Sequence, residues 1–513
     1  MTLKRLLLLV LTLISVGPAL LSLGGSLNQP QIQARLQLYQ TNLVLAATEF
    51  TGFDDTDPVE AESLRNALLG TEPYTTAIAQ FKEAETQAVQ TREQLQAQLE
   101  RQFDDSVEDG STLAAEVVSQ ATIAQTETTL TETTEFIAQT QVLIGLLQTQ
   151  TDEPTQAFQN WEQAGQNPRN SSIAQTLQAL WSEPAQPVAD AELTIKNGLD
   201  GWFEWLALRK LFVVEGNDVA LSQLNLQIRE QASEAVIKLG LIGGLPFFAG
   251  LLGVGILIFL LGQRLVKKND AILATNSSTP WDTPWDWETV WQVLVVGFFL
   301  ISQLVLPLAI GLLGINPSGG SIRFQALYVL GCYLGVAIAG LGVLLASIQQ
   351  YQPLPPDWFK FQFLGNWLGW GIAGYLVAVP VVVLVSLINQ QLWQGQGGSN
   401  PLLLLALQAQ DRWALLIFFL TAAIAAPIFE EIMFRGFLLP SLTRYVPVWA
   451  AIVLSSLVFS FAHLSLAEVL PLTALGVVLG IVYTRSRNLL ASMLVHSLWN
   501  SGTLLSLFIL GSQ

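Results

Sequence analysis

The chain has 513 residues, of which 51% are hydrophobic and only 12% are charged, with a mean hydropathy of +0.46, a composition typical of an integral membrane protein. Its formal net charge of -17 at pH 7 argues against nucleic acid as a partner, because phosphates need a basic surface. The single cysteine, Cys332, excludes an intrachain disulfide framework and any multi-cysteine metal site.

The first predicted element is an apolar run over residues 6–23, which follows Lys4 and Arg5. A basic start followed by an apolar run is typical of either a cleavable signal peptide or an uncleaved signal anchor. Pro18 and the small residues after it resemble a cleavage region, whereas the run is long for the core of a signal peptide. We interpret residues 1–29 as a signal anchor, with a signal peptide as the alternative.

Residues 30–235 have a different composition, rich in Gln, Thr, Glu and Ala. Apolar side chains recur there at spacings of three and four residues, which is the pattern of amphipathic helices. The region contains no histidine, no cysteine and no glycine-rich phosphate loop. It is predicted to be a soluble helical domain that spaces or binds an unknown partner.

From residue 236 onward the chain is predicted to lie in the membrane. Eight apolar runs follow one another, each near the length that a helix needs to cross a hydrocarbon core of about 30 Å. With the N-terminal anchor, they predict an all-α, polytopic membrane protein with about nine transmembrane helices. Residues 236–400 form the helices that precede the polar motifs, and residues 401–513 form the core that contains them. The runs are residues 239–262, 289–314, 324–347, 366–391, 411–428, 446–463, 470–484 and 489–510.

Basic residues near the ends of the predicted spans indicate their orientation. Lys4 and Arg5 precede the first span, and the other clusters follow even-numbered spans. Because Lys and Arg accumulate on the cytoplasmic side, the N-terminus is predicted to be cytoplasmic, in a plasma or thylakoid-type membrane. Residues 30–235 are then extracytoplasmic. The clusters after even-numbered spans are Arg264, Lys267 and Lys268; Lys360; Arg435 and Arg444; and Arg485 and Arg487.

Charged residues occur near the cytoplasmic end of the sixth span, in a segment that otherwise resembles a membrane helix and reads PIFEEIMFRG from Pro427 to Gly436. Charges at bilayer depth are costly, so they indicate a functional site, although a Glu–Arg pair alone can be purely structural. Glu431 and Arg435 are four residues apart, share one helix face and can pair. Glu430 is turned by about 100° from Glu431 and is predicted to face a polar cavity between helices instead.

The two histidines of the chain both lie in apolar segments of its last fifth. Phe459 and His463 are four residues apart, as are His496 and Asn500, so each pair shares a helix stripe. Carboxylate, imidazole and amide groups that converge inside a bilayer suit hydrolysis by an activated water, with donors for the oxyanion. No Ser or Cys is placed for covalent catalysis, and no cofactor is expected. Two histidines and a glutamate could also bind zinc, although the HExxH pattern is absent.

Three motifs carry a resemblance to a known family. EEIMFR fits EExxxR, FSFAH fits FxxxH and HSLWN fits HxxxN, in that order within about 70 residues. Together they resemble the CAAX protease and bacteriocin-processing (CPBP) family of intramembrane glutamic endopeptidases, which includes type II CAAX prenyl endopeptidases and abortive infection proteins. The resemblance covers residues 411–508, and residues 1–235 lie outside it.

The resemblance implies a peptidase that activates water with Glu430 and His463, without a metal. It implies that His496 and Asn500 form the oxyanion site. A membrane-associated peptide or protein in the lipid bilayer is the implied substrate, and a prenylated one is not required by the motifs. The resemblance also implies that Glu431 and Arg435 support the conformation of the site. It implies that Phe459 is a packing or substrate contact.

Two other classes of function fit the same helices. Some members of this family act as scaffolds for membrane proteins, so a non-catalytic scaffold or chaperone is one alternative. A transporter that uses Glu430 and the histidines as a proton relay is the other. A scaffold needs no oxyanion donors, and the hydropathy pattern contains no inverted repeat of the kind found in transporters. The pattern therefore favours the enzyme.

Overall fold

The computed structural model describes residues 2–29, 31–52, 57–108, 113–151, 153–186, 188–317, 320–393, 395–409 and 411–511. Every regular secondary-structure element in these ranges is a helix, which confirms the predicted all-α class. The physical reason is that a bilayer core has no water to satisfy backbone groups, so an apolar segment pairs its N–H and C=O groups within a helix.

Within the described ranges, eight helices are long and apolar enough to cross a membrane, and a shorter apolar helix, Val448–Phe461, lies between the sixth and the seventh. These correspond to the predicted spans, and the chain is an integral, multi-pass membrane protein. The eight long helices are Leu3–Gly25, Asp218–Asp270, Trp287–Leu312, Ile322–Tyr351, Trp367–Trp393, Arg412–Leu442, Leu466–Ser486 and Leu489–Gly511.

The Val448–Phe461 helix is shorter than the run predicted over residues 446–463. Pro447 precedes its first residue, and Leu464, just past its end, has a positive φ of 56°, which no helix contains. Its 14 residues rise by about 21 Å, less than the thickness of the hydrocarbon core. His463 therefore lies in the turn after the helix and not on the helix itself.

Backbone contacts divide the chain into two compact units: residues 33–241, the N-terminal helical unit, and residues 1–32 with 242–512, the membrane unit. The N-terminal helical unit has an apolar core in which Trp161 and Trp202 are buried. Its helices are Gln33–Ala47, Pro58–Leu69, Pro73–Glu108, Leu113–Gln148, Pro154–Ala164, Ser171–Trp181, Ala191–Gly198 and Gly201–Glu215. Three of them begin at a proline, which suits the first helical turn because a backbone N–H there would have no partner within the helix.

The Leu3–Gly25 helix packs within the membrane unit against the Trp287–Leu312 helix. Arg5 forms an ion pair with Glu288 at 2.5 Å, and the indole N–H of Trp291 donates to Thr12 Oγ1 at 2.9 Å. Polar contacts at both positions tie the helix to its neighbour.

The Arg412–Leu442 helix carries the paired glutamates and changes between α-helical and π-helical turns. Its segments Leu420–Ala425 and Glu431–Leu438 are π-helical, with hydrogen bonds that span five residues instead of four. Each π-turn accommodates an extra residue, which rotates the following side chains by about 100° relative to a regular α-helix. The faces read from α-helical spacing are therefore shifted along this helix.

Candidate active site

The ion pair predicted inside PIFEEIMFRG is present. Arg435 Nη1 donates to Glu431 Oε1 at 2.9 Å, and both side chains are fully buried. Arg435 Nη2 also donates to the backbone carbonyl of Gly476 at 3.1 Å. A Cβ at Gly476 would lie 2.8 Å from Ser456 Cβ, so glycine is required where the Leu466–Ser486 helix approaches the Val448–Phe461 helix. The ion pair and the bond to the Gly476 carbonyl offset part of the cost of burying both charges at bilayer depth.

His496 lies between the two adjacent carboxylates. Its Nδ1 is 3.0 Å from Glu431 Oε1, and its Nε2 is 3.8 Å from Glu430 Oε2. Because an ionised carboxylate only accepts hydrogen bonds, Nδ1 carries a proton and donates it to Glu431, and Nε2 is directed at Glu430. The prediction that the two glutamates face different surroundings is therefore wrong. Each approaches a different nitrogen of one ring, because the imidazole of His496 lies between the two side chains.

Glu430 has a second neighbour, Tyr333, that was not predicted. The Tyr333 hydroxyl donates to Glu430 Oε1 at 2.8 Å from the Ile322–Tyr351 helix. In the part of the chain that the structure describes, Glu430 Oε2 is buried without a hydrogen-bond partner, as is Glu431 Oε2. A tyrosine inside an apolar span needs a partner for its hydroxyl, and this is the signal in the stretch GCYLG that could have marked Tyr333. The partner could not be read from spacing, because it lies 97 residues away.

Phe459 is fully buried and links the charged groups to both histidines. The guanidinium carbon of Arg435 lies 4.5 Å from the centre of its ring, a cation–π contact. The rings of His463 and His496 meet it edge-on, with centroids 5.0 and 5.7 Å away. Phe459 thus has the packing contacts that its position in the motif suggested.

His463 is held by its own chain segment. Its Nδ1 donates to the carbonyl of Phe459 at 3.0 Å, which leaves Nε2 as the acceptor of the neutral ring. In the described part of the chain, no hydrogen bond or ion pair connects His463 with Glu430 or Glu431. The imidazole directly beside the carboxylates is that of His496.

Asn500 and His496 lie on the same helix, as predicted, but they contact different groups. The Asn500 side-chain amide donates to the backbone carbonyl of Ala422 at 2.7 Å. The neighbouring Ser497 hydroxyl donates to the carbonyl of Ala423 at 2.6 Å. Of the predicted oxyanion pair, the structure therefore brings His496 to the carboxylates and engages Asn500 with the backbone of the Arg412–Leu442 helix.

No group of three or more His, Cys, Asp and Glu side chains in the described ranges is arranged to hold a metal ion. The groups that meet are two carboxylates, one imidazole, one phenol and one guanidinium. The guanidinium and the imidazole both bond to Oε1 of Glu431, and the phenol bonds to Oε1 of Glu430. Oε2 of each carboxylate is buried without a hydrogen-bond partner among the described residues. Such a set can accept a proton at Glu430 and donate hydrogen bonds nearby, which suits acid–base chemistry on a bound water.

Comparisons with known proteins agree with the resemblance drawn from the motifs. Residues 412–502 match the family model described as type II CAAX prenyl endopeptidase Rce1-like, and this segment contains all the predicted site residues. Over 134 residues the chain is 25% identical to a protein of Bacillus subtilis (strain 168) named "Putative membrane peptidase YdiL". The alignment covers 26% of this chain and 53% of that protein, so the chain spans about half the length of this curated relative. No solved structure matches the chain.

Proposed function

We propose that the protein is an intramembrane glutamic endopeptidase that hydrolyses a peptide bond of a membrane-associated peptide or protein, in the manner of CAAX-type processing. One observation carries the proposal: among the described residues, Glu430 Oε2 is buried without a hydrogen-bond partner and lies 3.8 Å from His496 Nε2, whereas Glu431 is paired with Arg435. The similarity of residues 412–502 to Rce1-like endopeptidases supports the same class of reaction.

In the proposed reaction Glu430 is the general base. Its Oε2 takes a proton from water while the water oxygen bonds to the carbonyl carbon of the scissile peptide. The C–N bond then breaks, the proton passes from Glu430 to the leaving nitrogen, and a carboxylic acid and an amine result. Because Tyr333 holds Oε1, Oε2 is the oxygen left to react.

The two histidines have separate proposed parts. His496 is oriented by Glu431 through Nδ1, and in its protonated form its Nε2–H would donate to the oxyanion. His463 donates its Nδ1–H to a backbone carbonyl, so its Nε2 can accept a hydrogen bond from the attacking water. A membrane scaffold would need neither arrangement, which favours a peptidase over the scaffold.

The proposal is tested by comparing membrane-fraction proteomes of cells that carry the wild type and cells that carry Glu430→Gln. Uncleaved precursors that accumulate only in the variant would identify substrates and their cleavage sites. Equal peptide termini in both, together with loss of a partner protein when the whole chain is deleted, would favour the scaffold. Changed proton-coupled uptake without any changed peptide terminus would favour the transporter.

Tyr333→Phe is expected to lower kcat about tenfold with KM nearly unchanged. A hydrogen bond to a charged group is worth roughly 1.5–3 kcal/mol, and its loss frees the Glu430 carboxylate to rotate away from the water. Steady-state kinetics on an identified substrate measures the effect. Tyr328→Phe is the matched control, because this tyrosine is on the same helix and interacts with Cys332. An unchanged kcat for Tyr333→Phe would remove this tyrosine from the proposed mechanism.

Peptidase activity is expected to survive EDTA and phenanthroline, because the proposed base and oxyanion donor are side chains. The measurement is the cleavage rate of an identified substrate before and after chelation, with a zinc-dependent peptidase as the positive control. Loss of activity that zinc restores would replace the glutamic mechanism by a metallopeptidase.

We further propose that the N-terminus is cytoplasmic and that residues 30–235 are extracytoplasmic, from the basic residues after even-numbered spans. A reporter that is active only in the cytoplasm is expected to be inactive at Gly70 and active at Ser278, both of which are exposed. The reverse pattern would invert the topology.

A further inference from the structure

The helix that carries Glu430 changes its hydrogen-bond register at Pro427. Before the proline, the N–H of Ala426 bonds to the carbonyl of Thr421, five residues earlier. After it, the N–H of Glu431 bonds to the carbonyl of Pro427, four residues earlier. The helix therefore passes from a π-turn to an α-turn at the residue that has no N–H.

This change leaves two backbone carbonyls short of donors. The carbonyls that would accept an N–H from position 427 are those of Ala423 in the α register and Ala422 in the π register. Pro427 can supply neither. Inside a bilayer an unpaired carbonyl is costly, since no water reaches it. Side chains must then replace the missing donor.

Ser497 and Asn500 donate to these two carbonyls. Ser497 Oγ donates to Ala423 at 2.6 Å, and Asn500 Nδ2 donates to Ala422 at 2.7 Å. The two donors are three residues apart on the Leu489–Gly511 helix, so they lie side by side on one face. His496, one residue before Ser497, contacts both glutamates from the same helix.

We propose that Ser497 and Asn500 are positioning residues that replace the N–H missing at Pro427 and so fix the turn that precedes Glu430. The Leu489–Gly511 helix then contacts the Arg412–Leu442 helix at two places, the backbone carbonyls of Ala422 and Ala423 and the carboxylates of Glu430 and Glu431. This sets the distance between His496 and Glu430. The catalytic consequence rests on the proposed peptidase function, whereas the bracing of the helix does not.

A double-mutant cycle between Pro427 and Asn500 tests the proposal on the full-length protein in detergent. Asn500→Ala is expected to lower Tm by roughly 2–4 °C, because a buried carbonyl loses its donor. Pro427→Ala restores an N–H that can continue the five-residue pattern to Ala422. In that background the same Asn500→Ala change is expected to lower Tm by less than about 1 °C.

Thr503→Ala is the matched control for the cycle. Thr503 is a polar residue of the same helix, and its hydroxyl donates to the carbonyl of Trp499 in its own helix. Its replacement is expected to change Tm equally with or without Pro427→Ala. Asn500→Ala that lowers Tm equally in both backgrounds, or that leaves Tm unchanged in the wild type, would overturn the proposal.

The wild type, Asn500→Ala, Pro427→Ala and the double variant also show whether Asn500 braces the helix or contacts the substrate directly. With a precursor identified from the Glu430→Gln comparison, Asn500→Ala is expected to lower kcat about tenfold with KM within about twofold. Pro427→Ala is expected to restore most of that loss. An oxyanion donor would instead cost about 10²–10³ in kcat in both backgrounds, which would overturn the positioning role. If the wild type cleaves nothing, the peptidase proposal fails, and the Tm cycle still decides the bracing.

Discussion

Glu430→Gln is expected to lower the rate of peptide hydrolysis by at least about a hundredfold, since general-base catalysis typically contributes 10²–10⁴. The amide has nearly the same shape as the carboxylate and can still accept from Tyr333, but it cannot take a proton from water. The variant is therefore expected to be inactive and to unfold within about 1 °C of the wild-type Tm. Single-turnover cleavage and thermal unfolding of the same preparation measure both.

Asp411→Asn is the matched control for this prediction. Asp411 lies just before the Arg412–Leu442 helix, caps it and pairs with Arg323 on the protein surface. An acid-to-amide change there keeps a capping oxygen, so hydrolysis is expected to persist. Hydrolysis by Glu430→Gln at more than a tenth of the wild-type rate would remove Glu430 from the role of base.

Glu431→Gln is expected to destabilise the fold by about 3–5 kcal/mol, the usual cost of leaving one partner of a buried ion pair uncompensated. The loss is large because Glu431 accepts from both Arg435 and His496, and all three side chains are buried. Thermal unfolding in detergent is expected to show a Tm lower by roughly 6–20 °C, if each kcal/mol shifts Tm by about 2–4 °C.

Joint replacement of the pair separates the lost charge balance from lost packing. Glu431→Leu with Arg435→Met removes both charges and is expected to recover part of the stability that Glu431→Gln loses. Recovery is expected to be incomplete, because the Gly476 carbonyl and the His496 Nδ1–H each lose a partner. A stable but inactive Glu431→Gln protein beside an unstable Glu430→Gln protein would show that the two glutamates have the opposite roles.

The sequence by itself determined the features that depend on local properties of the chain. Hydropathy and run length predicted the membrane helices because a bilayer core leaves an apolar segment no other way to pair its backbone. The spacing of Glu431 and Arg435 predicted their ion pair because residues four apart are neighbours on a helix. The three ordered motifs located the segment that matches Rce1-like endopeptidases, residues 412–502.

Local spacing was misleading where the backbone departs from the α-helix. Glu430 and Glu431, at the junction of an α-helical and a π-helical segment, were expected to face apart, but each reaches a different nitrogen of His496. The run containing His463 was expected to be helical, but the helix ends at Phe461. A π-turn and an early helix end depend on which side chains are available to satisfy freed backbone groups, and those side chains come from other helices.

Only the tertiary structure decided which residues from separate helices meet at Glu430. Tyr333 lies 97 residues from Glu430 in the chain and still donates a hydrogen bond to its carboxylate. The side-chain amide of Asn500 donates to the backbone carbonyl of Ala422 instead of lying beside the carboxylates. The rotation of each helix about its own axis selects such partners. That rotation is set by how neighbouring helices pack and by where their freed backbone carbonyls point, and neither can be read from the sequence of one helix.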